Sequence, residues 1–138
     1  MAIIAETIAP LGTSNEKSGY RQTIQPNIMY GEYVANDTDD HAFHVDGRGK
    51  GRMTISVENP SNKDVVVTVY GAHAIDADVG DAGVFELGGS GVSVFTALAT
   101  DRNYECYNDP FPFFIINCTS ADTPDGETVI VYITLEQQ

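Results

Sequence analysis

The chain has 138 residues, 42% of them hydrophobic and 20% charged, which is the composition of one globular domain rather than a disordered chain. Seven Lys and Arg residues against twenty Asp and Glu residues give a formal net charge of −13. A negative field of this size repels nucleic acid and anionic membrane surfaces, so we predict neither a nucleic-acid partner nor a membrane partner.

The N-terminal part differs from the rest, because it is polar, irregular and rich in turn formers, with extended structure indicated only over 19–34. We predict that residues 1–45 form an arm with extra strands, packed on a β-sandwich core formed by residues 46–138. An arm of this length often finds its partner on a neighbouring subunit. Short pieces within 1–9 and 72–78 are the only helix candidates.

The opening MAIIAETIAP has no basic region before its apolar residues, which predicts a protein made in the cytoplasm.

Histidines and aspartates lie close together around residue 41. They are His41, His44 and Asp46, with Asp37, Asp39 and Asp40. Side chains on a strand alternate between its faces, so a strand here would put His44 and Asp46 on one face and His41 on the other. The spacing lacks the glycine and the terminal Glu of a calcium loop. We therefore predict a solvated loop that holds no metal, and no cofactor elsewhere in the chain.

The stretch DGRGKGR at 46–52 holds three of the seven basic residues. Its glycines match neither a Walker loop nor a dinucleotide fingerprint, since a strand rather than a helix is predicted to follow. Glycines at alternate positions would leave one side of the backbone without side chains. Arg48, Lys50 and Arg52 would then project together from the other side. Two interpretations remain: a flexible, solvated approach to the next strand, or a charge-steered contact with an acidic protein surface.

The second half of the chain shows the alternation typical of strands. Residues 53–58 alternate apolar and polar side chains, as in a half-buried antiparallel strand. A turn cluster and a β-branched run at 65–70 follow, which together predict a hairpin over 53–70. Further strands are predicted at 84–87, 92–98, 104–107, 112–118 and 128–135. Short strands separated by turn residues indicate an all-β fold, either an antiparallel β-sandwich or a jelly-roll-like barrel.

The last predicted strand has two apolar faces. Every second side chain from Val129 to Leu135 faces one way, whereas Ile130 and Tyr132 share the opposite face. The opposite face is too apolar for free solvent, so we predict that another sheet or another subunit covers it.

Catalytic machinery is not recognisable in the sequence. There is no Gly-x-Ser-x-Gly elbow and no cysteine in a pattern that would activate a thiolate, so we predict no enzymatic activity. Cys106 and Cys118 are predicted to be free thiols in the core, on two neighbouring strands.

Aromatic residues are concentrated in two short runs, Tyr104–Tyr107 and Phe111–Phe114. The second run contains Pro112 and directly follows Pro110, so it cannot be a regular central strand along its whole length. Two interpretations remain for it: core at the edge of the sandwich, or an exposed hydrophobic contact for a partner chain.

Four segments together resemble a run found in small all-β capsid decoration (cement) proteins of tailed bacteriophages. They are Gly51–Asn59, Val65–Gly71, Phe113–Thr119 and Thr128–Thr134. The resemblance covers about 51–136 and leaves the arm unmatched. It implies a virion protein on the capsid surface, made in the host cytoplasm and commonly trimeric, that stabilises the expanded shell.

The partners implied by this resemblance are the major capsid protein and other copies of the chain. We expect the contacts to come from the arm, the basic loop and the phenylalanine run, through Ile3, Ile4, Arg48, Lys50, Arg52, Phe111 and Phe113. The alternatives are a sugar- or receptor-binding β-sandwich module and a tail or neck component of the same virion.

Overall fold

The computed structural model describes residues 3–10, 27–87, 93–109 and 111–137, and these residues form strands and loops. The strands are β1 (Ile3–Glu6), β2 (Ile8–Pro10), β3 (Asn27–Val34), β4 (Asp40–Asp46), β5 (Lys50–Asn59), β6 (Val65–Ala72), β7 (Val84–Glu86), β8 (Val94–Ala97), β9 (Asp101–Tyr107), β10 (Phe113–Ser120) and β11 (Thr128–Gln137). No helix occurs in the described ranges. The predicted helices within 1–9 and 72–78 are therefore wrong for the described residues, because β1 and β2 occupy 3–10 and a loop occupies 73–83.

The strands form two sheets that pack face to face. Sheet A has the order β1-β4-β10-β6-β7, with β8 also paired to β6, and sheet B has the order β2-β3-β11-β5-β9. The strands β4-β10-β6-β8 and β3-β11-β5-β9 have the order of a jelly roll, whose neighbouring strands along the chain mostly belong to opposite sheets. The predicted fold class, an antiparallel β-sandwich of jelly-roll type, is confirmed.

The predicted hairpin over 53–70 is wrong. β5 pairs with β11 and β9 in sheet B, whereas β6 pairs with β10, β7 and β8 in sheet A. The buried side chain of Asn59 stabilises this crossing, because its amide donates to the carbonyls of Lys63 at 2.7 Å and Ala97 at 2.9 Å. The connection is therefore held at the edge between the sheets. Alternation predicts which side of a strand is buried but does not predict its neighbours.

The core lies between the sheets and is built by alternate side chains. As predicted, the face of β11 from Val129 to Leu135 is fully buried. Met53, Ile55 and Val57 on β5 pack into the same core. Each aliphatic side chain buried in this way contributes roughly 1.5–3 kcal/mol to folding, so the core stabilises the sandwich without any helix.

The N-terminal strands close one side of the sandwich. β1 pairs in parallel with β4 at the edge of sheet A, and β2 pairs with β3 at the edge of sheet B, so residues 3–10 cross from one sheet to the other. Gly31 permits this crossing, because a Cβ there would lie 2.8 Å from the Thr7 carbonyl oxygen. The predicted boundary between arm and core falls inside β4, and the division into 1–45 and 46–138 stays a prediction.

The two cysteines lie in different sheets, Cys106 on β9 and Cys118 on β10, so the prediction of neighbouring strands is wrong. Both thiols are free, as predicted, but only Cys118 is in the core and Cys106 is exposed. Burial raises the pKa of the Cys118 thiol to about 12.

Candidate partner-binding surfaces

The loop between β4 and β5 is a structured turn. Gly49 adopts a φ of 77°, the Lys50 N–H donates to the Gly47 carbonyl, and the Gly47 N–H donates to the Pro112 carbonyl at 2.9 Å. A register irregularity also interrupts the pairing of β5 with β11 next to Gly51. The three basic side chains therefore do not form the single row that alternate glycines predict, because the turn and the bulge both break the alternation.

Arg48 forms the best-defined contacts of this loop. Its guanidinium donates to both carboxylate oxygens of Asp46, at 2.9 and 2.7 Å, and its Cζ lies 5.3 Å from the centre of the Phe113 ring. The hydrogen bond from Arg48 lowers the pKa of the Asp46 carboxyl. Asp46 thus balances one of the three positive charges, while Arg52 donates to the neutral side chain of Asn108 at 3.3 Å.

The phenylalanine run divides between core and surface. Phe114 is buried, whereas Phe111 and Phe113 are half-buried beside the basic loop. We call loop 46–52 together with Phe111 and Phe113 the basic end of the sandwich. Its residues adjoin through the Arg48–Phe113 contact and the hydrogen bond from Gly47 to Pro112.

An aromatic cluster continues the basic end onto sheet A. The Phe111 ring lies 5.5 Å from the His73 ring and 6.0 Å from the Phe85 ring, measured between centroids. The ring packs directly on Gly71, where a Cβ would overlap it. Phe85 is 53% exposed. Large exposed aromatics grouped in this way are typical of contact surfaces.

The N-terminal isoleucines lie away from the basic end. Ile3 and Ile4 pair with Asp40 and His41 at the start of β4, whereas the basic loop follows the end of that strand. At about 3.3 Å per residue, the length of β4 separates them by roughly 20 Å. Ile3 is 46% exposed and Ile4 is half-buried. The structure therefore does not bring these two residues together with Arg48, Lys50 and Arg52.

His41 joins the N-terminal strand to the core. It is 5% exposed, its Nδ1 lies 2.6 Å from Glu6 Oε2, and its Nε2 lies 2.8 Å from Asp37 Oδ1. Its ring stacks on Tyr33 with a centroid distance of 4.1 Å. We call His41, Glu6 and Asp37 the histidine clamp. Sequence reasoning missed it, because Glu6 and His41 are 35 positions apart and only strand pairing brings them together.

The predicted solvated loop around His41 is wrong, because Asp40–Asp46 form strand β4 and His41 is buried. His44 faces the opposite side of β4, as alternation predicts for a strand. Its Nε2 lies 3.1 Å from the Ala77 carbonyl oxygen in the loop over sheet A. Within the described ranges, His, Cys, Asp and Glu side chains form no group of three or more that could hold a metal ion. The described residues likewise contain no helix long and apolar enough to cross a membrane.

The outer face of sheet B carries a row of tyrosines that the sequence analysis missed. Strand register puts Tyr30 beside Tyr132, Tyr132 beside Ser56, and Ser56 beside Tyr104, on the four strands β3, β11, β5 and β9. We call Tyr30, Tyr132 and Tyr104 the tyrosine row. Sheet A packs on the opposite side of β11, and no further sheet formed by the described residues covers the outer face, so the prediction of a covering sheet is wrong for this part of the chain.

A groove of about 450 Å³ adjoins the tyrosine row. Its lining consists of Glu58, Asn59, Pro60, Thr100, Asp101, Arg102, Thr128 and Ile130. Glu58 and Arg102 approach each other to 3.8 Å within it, and both side chains are exposed. The groove therefore offers a carboxylate and a guanidinium together at one end of the tyrosine row.

No protein-family model matches the chain, and no curated protein matches it. Similar solved structures include PirA, at 8% identity over 87% of this chain and 100% of PirA, with a TM-score of 0.49. They also include the mitogen YPM of Yersinia pseudotuberculosis, at 13% identity over 82% of this chain and 87% of the mitogen, with a TM-score of 0.48. A third is the SPBc2 prophage-derived protein YomS, at 11% identity over 79% and 95% of the two chains, with a TM-score of 0.41. None of the three is named as an enzyme, and similarity at this level carries no argument about function.

Proposed function

We propose that this chain is a structural virion protein that decorates a bacteriophage capsid and stabilises it by binding the assembled shell. The observation that carries this proposal is the basic end, where Arg48 contacts the half-buried Phe113 and belongs to the same loop as Lys50 and Arg52. It concentrates positive charge and aromatic surface on a chain whose formal net charge is −13. The proposed partner is the major capsid protein, on the outer surface of the virion.

The chemistry of the basic end suits an acidic patch on a protein shell. Asp46 already neutralises Arg48, so Lys50 and Arg52 supply the charge that would steer the encounter. The aromatic rings would then supply the burial, at about 25 cal/mol per Å² of apolar surface removed from water. The exposed Phe85 extends this apolar area toward sheet A.

Stabilisation follows from mass action. A protein that binds the assembled shell and not its separated subunits raises the stability of the shell by its binding free energy. We propose that the chain acts as a homo-oligomer, commonly a trimer in the proteins that the sequence resembles. Joining several basic ends in one molecule would multiply the retention on the shell, since each later contact becomes intramolecular.

The test is co-sedimentation of the purified protein with expanded shells of the major capsid protein of the same virus. Lys50→Ala combined with Arg52→Ala should weaken binding about tenfold at low salt and reduce its salt dependence. The matched control is Lys63→Ala combined with Arg102→Ala, which removes two basic residues outside the basic end and should leave shell binding unchanged.

Two results would contradict the proposal. The first is a folded protein that remains in the supernatant at all concentrations of shells. The second is labelled protein that occurs on the tail or neck of particles and not on the shell, which would identify a tail or neck component instead.

A further inference from the structure

The outer face of sheet B has the features of a ligand site, and it is separate from the basic end. The tyrosine row crosses four neighbouring strands, which are about 4.8 Å apart, so it extends over roughly 14 Å. Tyr104 is 64% exposed, and the Tyr30 and Tyr132 rings lie with centroids 6.0 Å apart and planes tilted by 32°. The row is therefore longer than any single side chain.

The small side chain of Ser56 lies within this row. Ser56 lies between Tyr132 and Tyr104 in the register of the sheet. The Tyr132 side chain forms a hydrogen bond with Glu58 on the neighbouring strand β5. A bulky residue at position 56 would separate the two tyrosines and interrupt the row.

Carboxylates hold two of the three tyrosines in place. The Tyr30 hydroxyl donates to Glu32 at 3.3 Å, and the Tyr132 hydroxyl is held by Glu58. Rings fixed before a ligand arrives lose little conformational entropy on binding. The carboxylates keep further lone pairs that can accept hydrogen bonds from a bound molecule.

The polar groups next to the row define the class of ligand. Glu58 and Arg102 line the groove and also belong to the strands that carry the row, so aromatic and polar surfaces are continuous. Carboxylates accept from hydroxyl groups, and a guanidinium donates to hydroxyl and ring oxygens. A volume of about 450 Å³ lies in the range of small-molecule sites.

We propose that the tyrosine row and the adjoining groove bind a neutral oligosaccharide. Pyranose rings stack their C–H faces on the tyrosines, as apolar groups do on aromatic rings. Their hydroxyl groups are bound by Glu32, Glu58 and Arg102. The length of the row exceeds that of one sugar ring, so the ligand is an oligosaccharide rather than a monosaccharide.

Charge excludes the main competing occupants. An acidic glycan would meet Glu32 and Glu58 on a chain with a net charge of −13. A second copy of this face would set the same carboxylates against each other, and like charges across an interface are unfavourable. A neutral, hydroxyl-rich ligand incurs neither cost.

The test is titration of the intact protein with a panel of neutral oligosaccharides, namely β-glucan, xylan, mannan, maltodextrin and chitin fragments, with oligogalacturonate as the acidic probe. The chain has no Trp, so its fluorescence comes from its seven tyrosines, three of which form the row. We expect at least one neutral oligosaccharide to bind and Tyr104→Ala to weaken it about tenfold. Tyr104 is largely exposed, so this variant should fold.

The matched control is Phe85→Ala, which removes an exposed aromatic of sheet A and should leave glycan affinity unchanged. Three results would overturn the proposal. The first is that no neutral oligosaccharide binds at millimolar concentration, and the second is that Tyr104→Ala and Phe85→Ala have equal affinities for the oligosaccharide. The third is that Tyr104→Ala abolishes self-association in sedimentation while the original protein binds no glycan. Tyr104→Ala should bind capsid shells as tightly as the original protein does. A failure of the oligosaccharide proposal is therefore distinguishable from a failure of the capsid proposal.

Discussion

At the scale of single residues, the histidine clamp is the most specific polar arrangement in the described part of the chain. Both ring nitrogens of His41 face carboxylate oxygens, of Glu6 and Asp37. An imidazolium ring donates from both nitrogens and so matches two acceptors, whereas a neutral ring would turn one acceptor toward a carboxylate. Because His41 is buried, loss of either carboxylate leaves one of its ring nitrogens without its partner.

We therefore predict that Glu6→Gln lowers the free energy of unfolding by roughly 1–2 kcal/mol, because a neutral amide replaces a charged partner in a short hydrogen bond. Urea unfolding at pH 7 measures the change. Asp40→Asn is the matched control, since it changes an acidic residue beside His41 on the other face of β4. Equal stabilities of the two variants would contradict the role of the clamp.

At the scale of elements, the N-terminal strands depend on a close approach that one glycine permits. A Cβ at Gly31 would lie 2.5 Å from the Phe43 ring and 2.8 Å from the Thr7 carbonyl oxygen. The ring has little freedom in the core, and the carbonyl belongs to backbone, so neither neighbour can move without displacing residues 3–10. The bridge between the sheets is thus coupled to the packing of Phe43.

Gly31→Ala should loosen this bridge at a cost of roughly 1–3 kcal/mol, the usual range for overpacking a core. Hydrogen exchange measures it directly, and the amides of β1 and β2 should exchange faster than in the original protein. Gly80→Ala is the control, because its positive φ adds backbone strain while no atom lies within 4 Å of the new Cβ. Unchanged exchange at β1 and β2 in Gly31→Ala would refute the coupling.

The sequence predicted the strands better than their neighbours. Alternation identified the buried face of β11, because burial acts on each strand separately. The placement of β5 and β6 in different sheets involves contacts between distant parts of the chain, such as the hydrogen bond from Asn59 to the Ala97 carbonyl. The tyrosine row and the histidine clamp likewise arise from register between strands that no local pattern encodes. The basic loop at 46–52 was identified from the sequence, but its turn at Gly49 and the bulge next to Gly51 were not predicted.

At the scale of the whole molecule, burial of weak acids limits the stability of the sandwich in alkali. Burial raises the pKa of Cys118 to about 12 and raises the pKa values of Tyr33 and Tyr107 as well. Above pH 9 the unfolded thiol loses its proton while the folded one keeps it, so the unfolded state binds fewer protons. The same holds for the two tyrosines above pH 10.

The free energy of unfolding should therefore fall as pH rises from about 9 to 12, by up to about 1.4 kcal/mol per pH unit for each such group. Urea unfolding at a series of pH values measures the slope. Cys118→Ala should be less stable at pH 7 but should show a shallower decline above pH 9. Equal slopes in the two proteins would show that the Cys118 thiol does not contribute.

The net charge of −13 and the basic end together give the molecule a strongly uneven surface. Three of the five basic residues in the described part of the chain lie in loop 46–52. Such a charge distribution orients a molecule during its encounter with a large acidic surface. If the basic end binds the capsid, the tyrosine row on the outer face of sheet B remains available for a second ligand.

The most direct test of the capsid proposal is the temperature at which expanded shells break, measured at increasing concentrations of the purified protein. The proposal predicts that this temperature rises with the logarithm of free protein concentration, as mass action requires for a ligand of the assembled state alone. Shells that break at the same temperature with and without a saturating amount of the folded protein would contradict it.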